Sequence, residues 1–185
     1  MDKATLRKHF LEKRAALTPQ FVDEMSRKII NRLVKLDAFK QAKVIHCYAS
    51  IHKNHEVDTS EFISVCNQLG KTLIMPKVLP KGEMMHIEVN KETIFFENKW
   101  GVREPIEGEI VQPDYPDFIV VPMVAGDKKR NRLGYGKGYY DRFLSQSKGV
   151  KAGILFEFQI HDYLLPTEDF DVPLDYLITE RECYF

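Results

Sequence analysis

No apolar run in this 185-residue sequence approaches the roughly 18 residues needed to cross a bilayer. The N-terminus is charged from its second residue, Asp2, so neither secretion nor membrane insertion is expected. Cysteine is scarce: Cys47, Cys66 and Cys183 are odd in number and widely spaced, which suits neither a disulfide framework nor a Cys-x-x-Cys metal site. Reduced thiols in a cytoplasmic protein are therefore expected. Net charge is also missing, since 27 basic and 27 acidic residues cancel, so no overall field draws the chain to nucleic acid or to a membrane. The histidines show no metal-ligand spacing with a partner Cys or Asp, and no Gly-x-Ser-x-Gly elbow occurs. Neither a zinc site nor a serine nucleophile is expected.

What remains is an ordinary globular composition, 44% hydrophobic and 29% charged, suited to one domain spanning residues 1–185. Residues 2–17 place Leu6, Phe10, Leu11, Ala15 and Leu17 at helical spacing, with Lys3, Arg7, Lys8 and Arg14 interleaved as a basic face. Thr18 and Pro19 open a second helix running to about residue 36. Residues 44–49 predict a buried strand, followed by a helix capped at Asp58 or Thr59, with an approximate capping box to Glu61 and a C-cap at Gly70. A parallel strand at 72–76 completes a β-α-β unit. The pattern loosens over 77–115, where antiparallel or irregular structure is expected, including a strand at 84–89 and a loop bearing Trp100. Residues 116–158 restore strand, glycine loop, helix and strand, and 173–180 supply a last short strand. The fold class is α/β: a three-layer sandwich with a mostly parallel central sheet flanked by helices, Rossmann-like.

The most informative stretch is RLGYGKGYYDRFL, residues 132–144. It follows the apolar run 118–124, which reads as a strand buried on both faces, and the region between such a strand and a helix is where α/β proteins keep ligands. Gly134, Gly136 and Gly138 alternate, so successive backbone N–H groups can approach an anion without an intervening Cβ. The spacing is neither the Gly-x-Gly-x-x-Gly of dinucleotide sites nor the Gly-Lys-Ser/Thr of a Walker loop. Over residues 127–142, six basic side chains (Lys128, Lys129, Arg130, Arg132, Lys137, Arg142) stand against Asp127 and Asp141, a local +4 that implies a polyanionic ligand. Asp141 falls in the first turn of the helix. It could be a plain dipole partner or, beside phosphates, one of the one or two carboxylates that Mg²⁺ takes, with Asp175 the second candidate.

The whole chain resembles the 5-formyltetrahydrofolate cyclo-ligase family. The resemblance is carried by residues 3–7 (KATLR), 56–59 (EVDT), 132–142 (RLGYGKGYYDR), 152–159 and 171–175. It implies an ATP- and Mg²⁺-dependent enzyme that closes 5-formyltetrahydrofolate to 5,10-methenyltetrahydrofolate, acting as a monomer on small molecules. By position it implies ATP binding by Lys3, Arg7, Arg132, Gly134, Gly136, Lys137, Gly138, Tyr139 and Tyr140, and substrate binding by Ile51, Glu56, Tyr135, Tyr139 and Trp100, the last beside the nucleotide. Arg132, Lys137 and Tyr139 match catalytic positions, and Asp141 and Asp175 metal ligands. The family often has a basic residue where Tyr135 stands and glycine where Lys137 stands, so the charge is moved rather than lost. From the residues alone, an ATP-dependent enzyme with another small acceptor and a non-enzymatic nucleotide or RNA-binding module remain open.

Overall fold

The structure, a computed structural model, describes residues 2–98 and 101–185. Helix α1 (Lys3–Ala15) starts where the Asp2 carboxylate accepts from the Thr5 amide. In α2 (Pro19–Leu33) the Thr18 hydroxyl accepts from the Phe21 amide. Both starts follow the expected cap chemistry. A short α3 (Asp37–Gln41), not expected from the sequence, leads into β1 (Val44–His46). Helix α4 (Ser60–Gln68) and β2 (Thr72–Val78) complete the β-α-β unit, with Gly70 left-handed at φ 65° behind the helix. The capping box does not form as expected: Asp58 accepts from the Ser60 amide, and Thr59 makes no side-chain cap.

The chain continues through β3 (Met84–Val89), the pair β4 (Phe95–Glu97) and β5 (Arg103–Pro105), and β6 (Ile110–Val111). Then come β7 (Phe118–Val121), β8 (Ala125–Asp127), β9 (Arg132–Leu133), α5 (Tyr139–Gln146), β10 (Val150–Ile154), β11 (Ile160–His161), β12 (Tyr176–Ile178) and β13 (Cys183–Tyr184). Among the described residues the central sheet has eight strands in the order β13-β12-β10-β7-β1-β2-β3-β6. Neighbours from β12 to β2 are parallel, while β3, β6 and β13 join antiparallel. The expected α/β sandwich with a mostly parallel sheet is thus observed, as is the antiparallel character of 77–115.

Two layers of helix cover the sheet. On one face Ile29, Ile30, Leu33, Phe39, Phe62 and Cys66 pack on Ile45, Cys47, Leu73, Phe118 and Val120. On the other, Phe143 and Leu144 of α5 pack on Ile119, Val121 and Leu177. Helix α1 lies on neither: Leu6 and Phe10 bury against Val124, Ala125, Leu133 and Leu165, over a small sheet of β11, β8 and β9. That small sheet was not expected, and it brings the basic helix to the glycine segment.

Under α5, His46 and His86 are both buried and share a hydrogen bond of 3.2 Å, with the Phe143 ring tilted against each. Burial depresses both, His46 strongly and His86 to about 4. An unfolded histidine takes its proton near pH 6.5, so stability is complete above that value. It is lost as pH falls toward 4, by up to about 1.4 kcal/mol per pH unit for each ring still neutral. The urea midpoint is therefore expected to fall clearly between pH 7 and pH 5, and His86→Leu to flatten that fall. An unchanged pH slope in His86→Leu would contradict this coupling.

Candidate active site

Strand β7 ends at Val121, and the chain returns through the β8–β9 hairpin before entering the glycine segment, 134–138. Gly136 and Gly138 hold φ of 83° and 70°, left-handed values that side chains with a Cβ resist. Gly138 is also the N-cap of α5, and no side-chain group caps that end. The first N–H groups of α5 and its dipole therefore point into the segment.

Arginines frame this backbone. Arg7 of α1 donates from Nε to the Gly134 carbonyl at 2.8 Å, and its guanidinium lies so close over Gly136 that a Cβ there would sit 3.1 Å from Cζ. Arg132, its side chain only 6% exposed, is ion-paired with Asp141. Arg142 donates to the carbonyls of Gly82 (2.9 Å) and Lys137 (3.0 Å), tying the 80–82 turn to the segment. Lys137 itself is exposed, and Tyr139 follows as the first residue of α5. The Tyr140 hydroxyl is buried without a partner among the described residues; its ring lies edge-on to His46 at 6.3 Å, with the Arg132 guanidinium 5.9 Å away.

From the far side, the loop after β1 turns back through a short 3-10 helix (His52–Asn54) and a left-handed His55, φ 48°, and seats Glu56 facing inward, 6% exposed. One Glu56 oxygen accepts from the Ile51 amide at 2.7 Å, and the other from the Tyr135 hydroxyl. Burial raises the Glu56 pKa, against the opposing pull of Tyr135, Ile51, Arg14 and His52. Burial and then the Glu56 charge push the Tyr135 phenol upward, so it stays a neutral donor. An acid that a sequence would pass as an ordinary loop residue is thus a desolvated carboxylate touching the glycine segment. One residue of the site was read in the sequence only as part of a basic helix face. Arg14 is 2% exposed and donates to the Met123 carbonyl at 3.3 Å and to the Tyr135 hydroxyl. Its spacing of seven from Arg7, about two helical turns, puts both on one face and was the signal available.

Two expected residues stand apart. Lys3 binds Asp171 at 2.7 Å and Glu168 at 2.9 Å; burial opposes its charge, but the two acids prevail and raise its pKa. Asp175 is not brought to Asp141. Its carboxylate accepts from the Lys151 amide at 2.7 Å, at the end of the sheet where β10 and β12 begin, whereas the glycine segment follows the opposite end of β7. Trp100 lies outside the described residues. Among the described residues no cluster of three or more His, Cys, Asp or Glu could hold a metal, and no helix is long and apolar enough to cross a membrane.

The chain is similar to 5-formyltetrahydrofolate cyclo-ligase of Mycoplasma pneumoniae, 34% identical over 98% of this chain and 100% of that one. A probable 5-formyltetrahydrofolate cyclo-ligase of Schizosaccharomyces pombe is 32% identical over 90% and 89%. Among solved structures, the 5,10-methenyltetrahydrofolate synthetase of Aquifex aeolicus superposes with TM-score 0.85 at 38% identity, covering 99% of this chain and 92% of that one. The Mycoplasma pneumoniae synthetase gives 0.79 at 32% identity, covering 97% and 99%. The sequence pattern of the 5-formyltetrahydrofolate cyclo-ligase family matches residues 1–180, and the chain belongs to that family.

Proposed function

We propose that this chain converts 5-formyltetrahydrofolate to 5,10-methenyltetrahydrofolate at the expense of ATP, with ADP and phosphate as the other products. The observation that carries the reading is the contact between Tyr135, inside the glycine segment, and buried Glu56: it sets an anion-binding backbone directly against a carboxylate suited to an uncharged nitrogen heterocycle. A pterin presents adjacent amino and ring N–H donors, which one carboxylate can accept as a pair.

The chemistry follows from what the acceptor lacks. The formyl carbon on N5 is a poor electrophile and its oxygen a poor leaving group. Transfer of the γ-phosphoryl to that oxygen corrects both; N10 then attacks the carbon and loses its proton, and phosphate departs with the formyl oxygen, leaving the cyclic amidinium. The protein's part is positioning and charge neutralisation, as in phosphoryl transfer generally. The N–H groups of 134–139 and the N-terminus of α5 cradle phosphate oxygens, with Arg7, Arg132 and Lys137 as the neighbouring cations. Lys3 joins them by leaving Asp171 and Glu168. In this reading Tyr139, the first residue of α5, lies where the two substrates meet, and Ile51 flanks the acceptor.

Asp141 fits Mg²⁺ bound with the nucleotide: a partly exposed carboxylate in the first turn beside the cradle is the single protein ligand such an ion commonly takes, phosphates and water supplying the rest. When bound there, Mg²⁺ withdraws charge from the phosphoryl oxygens. Asp175, with one oxygen engaged by the Lys151 amide, is left outside this reading.

The reading is tested by mixing protein, 5-formyltetrahydrofolate, ATP and Mg²⁺ and following the near-ultraviolet absorbance of the methenyl product; no rise with folded protein contradicts it. Lys137→Ala is expected to raise the KM for ATP about tenfold, with stability changed by less than about 0.5 kcal/mol because the side chain is exposed on a loop. A lowered Tm with normal kinetics would assign Lys137 a structural role instead.

A further inference from the structure

A buried guanidinium is costly unless its surroundings compensate the charge. Among the described residues Arg14 has only neutral direct partners, the Met123 carbonyl and the Tyr135 hydroxyl, and its Nε is buried without a partner. The nearest opposite charge on the relay lies one group further on, where Tyr135 passes its own proton toward Glu56. The main chain of Arg14 is engaged as well: its carbonyl accepts from Nδ1 of His55 at 3.1 Å, at the left-handed turn that directs Glu56 inward. Arg14 thus meets the acceptor loop directly at His55 and, through Tyr135, at Glu56. A narrow cavity bounded by Arg14, Glu56, Tyr48, Met123 and Gln159 adjoins the relay.

We propose that Arg14 is a positioning residue of the acceptor site, holding the Tyr135 phenol in register with Glu56 and supplying the counter-charge that keeps this carboxylate ready to accept paired N–H donors. The proposal rests on the reading of Glu56 as the acceptor ligand. Arginine is required because a planar fork reaches the Met123 carbonyl and the Tyr135 hydroxyl together, with the guanidinium 5.4 Å from the tyrosine ring centre. Lysine could supply the charge but not both contacts. The groups facing Glu56 are Tyr135 from the glycine segment, the Ile51 amide and His52 from its own loop, Arg14 from α1, and the neutral phenols of Tyr48 and Tyr140. Of these, Arg14 is the permanent cation. Without it, burial of Glu56 is opposed less, and the carboxyl gains its proton at higher pH.

The experiment uses full-length Arg14→Met and Arg14→Lys with two readouts. One is the Glu56 carboxyl titration by isotope-edited infrared spectroscopy, its band identified by loss in Glu56→Gln. The other is the KM for 5-formyltetrahydrofolate across pH at saturating ATP. Arg14→Met is expected to move the titration to higher pH and raise the acceptor KM about tenfold at neutral pH, with the KM for ATP unchanged. Arg14→Lys is expected to restore the titration but not the KM. If Arg14→Met fails to fold, Tyr135→Phe cuts the same relay at a residue 36% exposed, and the same upward titration and raised KM are expected. Wild-type protein that turns over acceptor, with titration and KM unmoved in the variants, overturns the positioning role alone. A titration that moves while wild-type protein turns over no acceptor overturns the acceptor reading, and the positioning role with it.

Discussion

Glu56→Gln is expected to lower kcat/KM for 5-formyltetrahydrofolate by roughly 100-fold or more while leaving the KM for ATP within about twofold. The amide keeps the shape but replaces one acceptor oxygen with a donor, so a ligand offering two N–H groups meets one match and one clash. The lost charge-assisted bond and the misplaced donor each cost about 1.5–3 kcal/mol, and every 1.4 kcal/mol is tenfold. Stability is expected to change little, because burial disfavours the Glu56 charge and raises its pKa, a cost that the neutral amide does not carry. Equal losses for both substrates would mean that Glu56 shapes the glycine segment through Tyr135 rather than meeting the acceptor.

The second large effect is expected at Asp141. Asp141→Asn keeps the volume and the helical first turn but removes the charge that faces Arg132. Turnover at limiting Mg²⁺ should fall about 100-fold, as expected for loss of a metal's direct carboxylate, with partial recovery as Mg²⁺ is raised. The Arg132 pair is partly buried, so a modest loss of Tm accompanies it. Recovery by Mg²⁺ separates the two roles: the ion restores a metal site, not an ion pair. Asp175→Asn, removing a carboxylate engaged with the Lys151 amide, should leave the Mg²⁺ dependence unchanged and act on stability alone. Unchanged turnover of Asp141→Asn at limiting Mg²⁺ would contradict the metal assignment.

Much of the frame was legible because its signals are local. The caps at Asp2 and Thr18 bond as their side chains dictate, and the apolar run at 118–121 lies in mid-sheet, buried on both faces. The alternate glycines announced a tight approach, and the left-handed φ at Gly136 and Gly138 shows why two of them must be glycine. The β8–β9 hairpin was not legible: strands of three and two residues are too short to show a period, and their pairing depends on α1 and β11 packing nearby. Arg14 was visible but ambiguous, since a basic helix face is normally solvated; only the Met123 carbonyl and Tyr135, far away in sequence, reveal its burial. At Asp175 the sequence showed a carboxylate at a strand end but not the Lys151 amide that one of its oxygens accepts from.

The account turns on the glycine segment bringing ATP phosphates against an acceptor held by Glu56, so that the formyl oxygen is phosphorylated before the ring closes. That claim is tested most directly by running the reaction on 5-formyltetrahydrofolate carrying ¹⁸O in the formyl group and weighing the released phosphate by mass spectrometry. The account predicts one ¹⁸O in each phosphate formed. Unlabelled phosphate, with the label released to water, would contradict it.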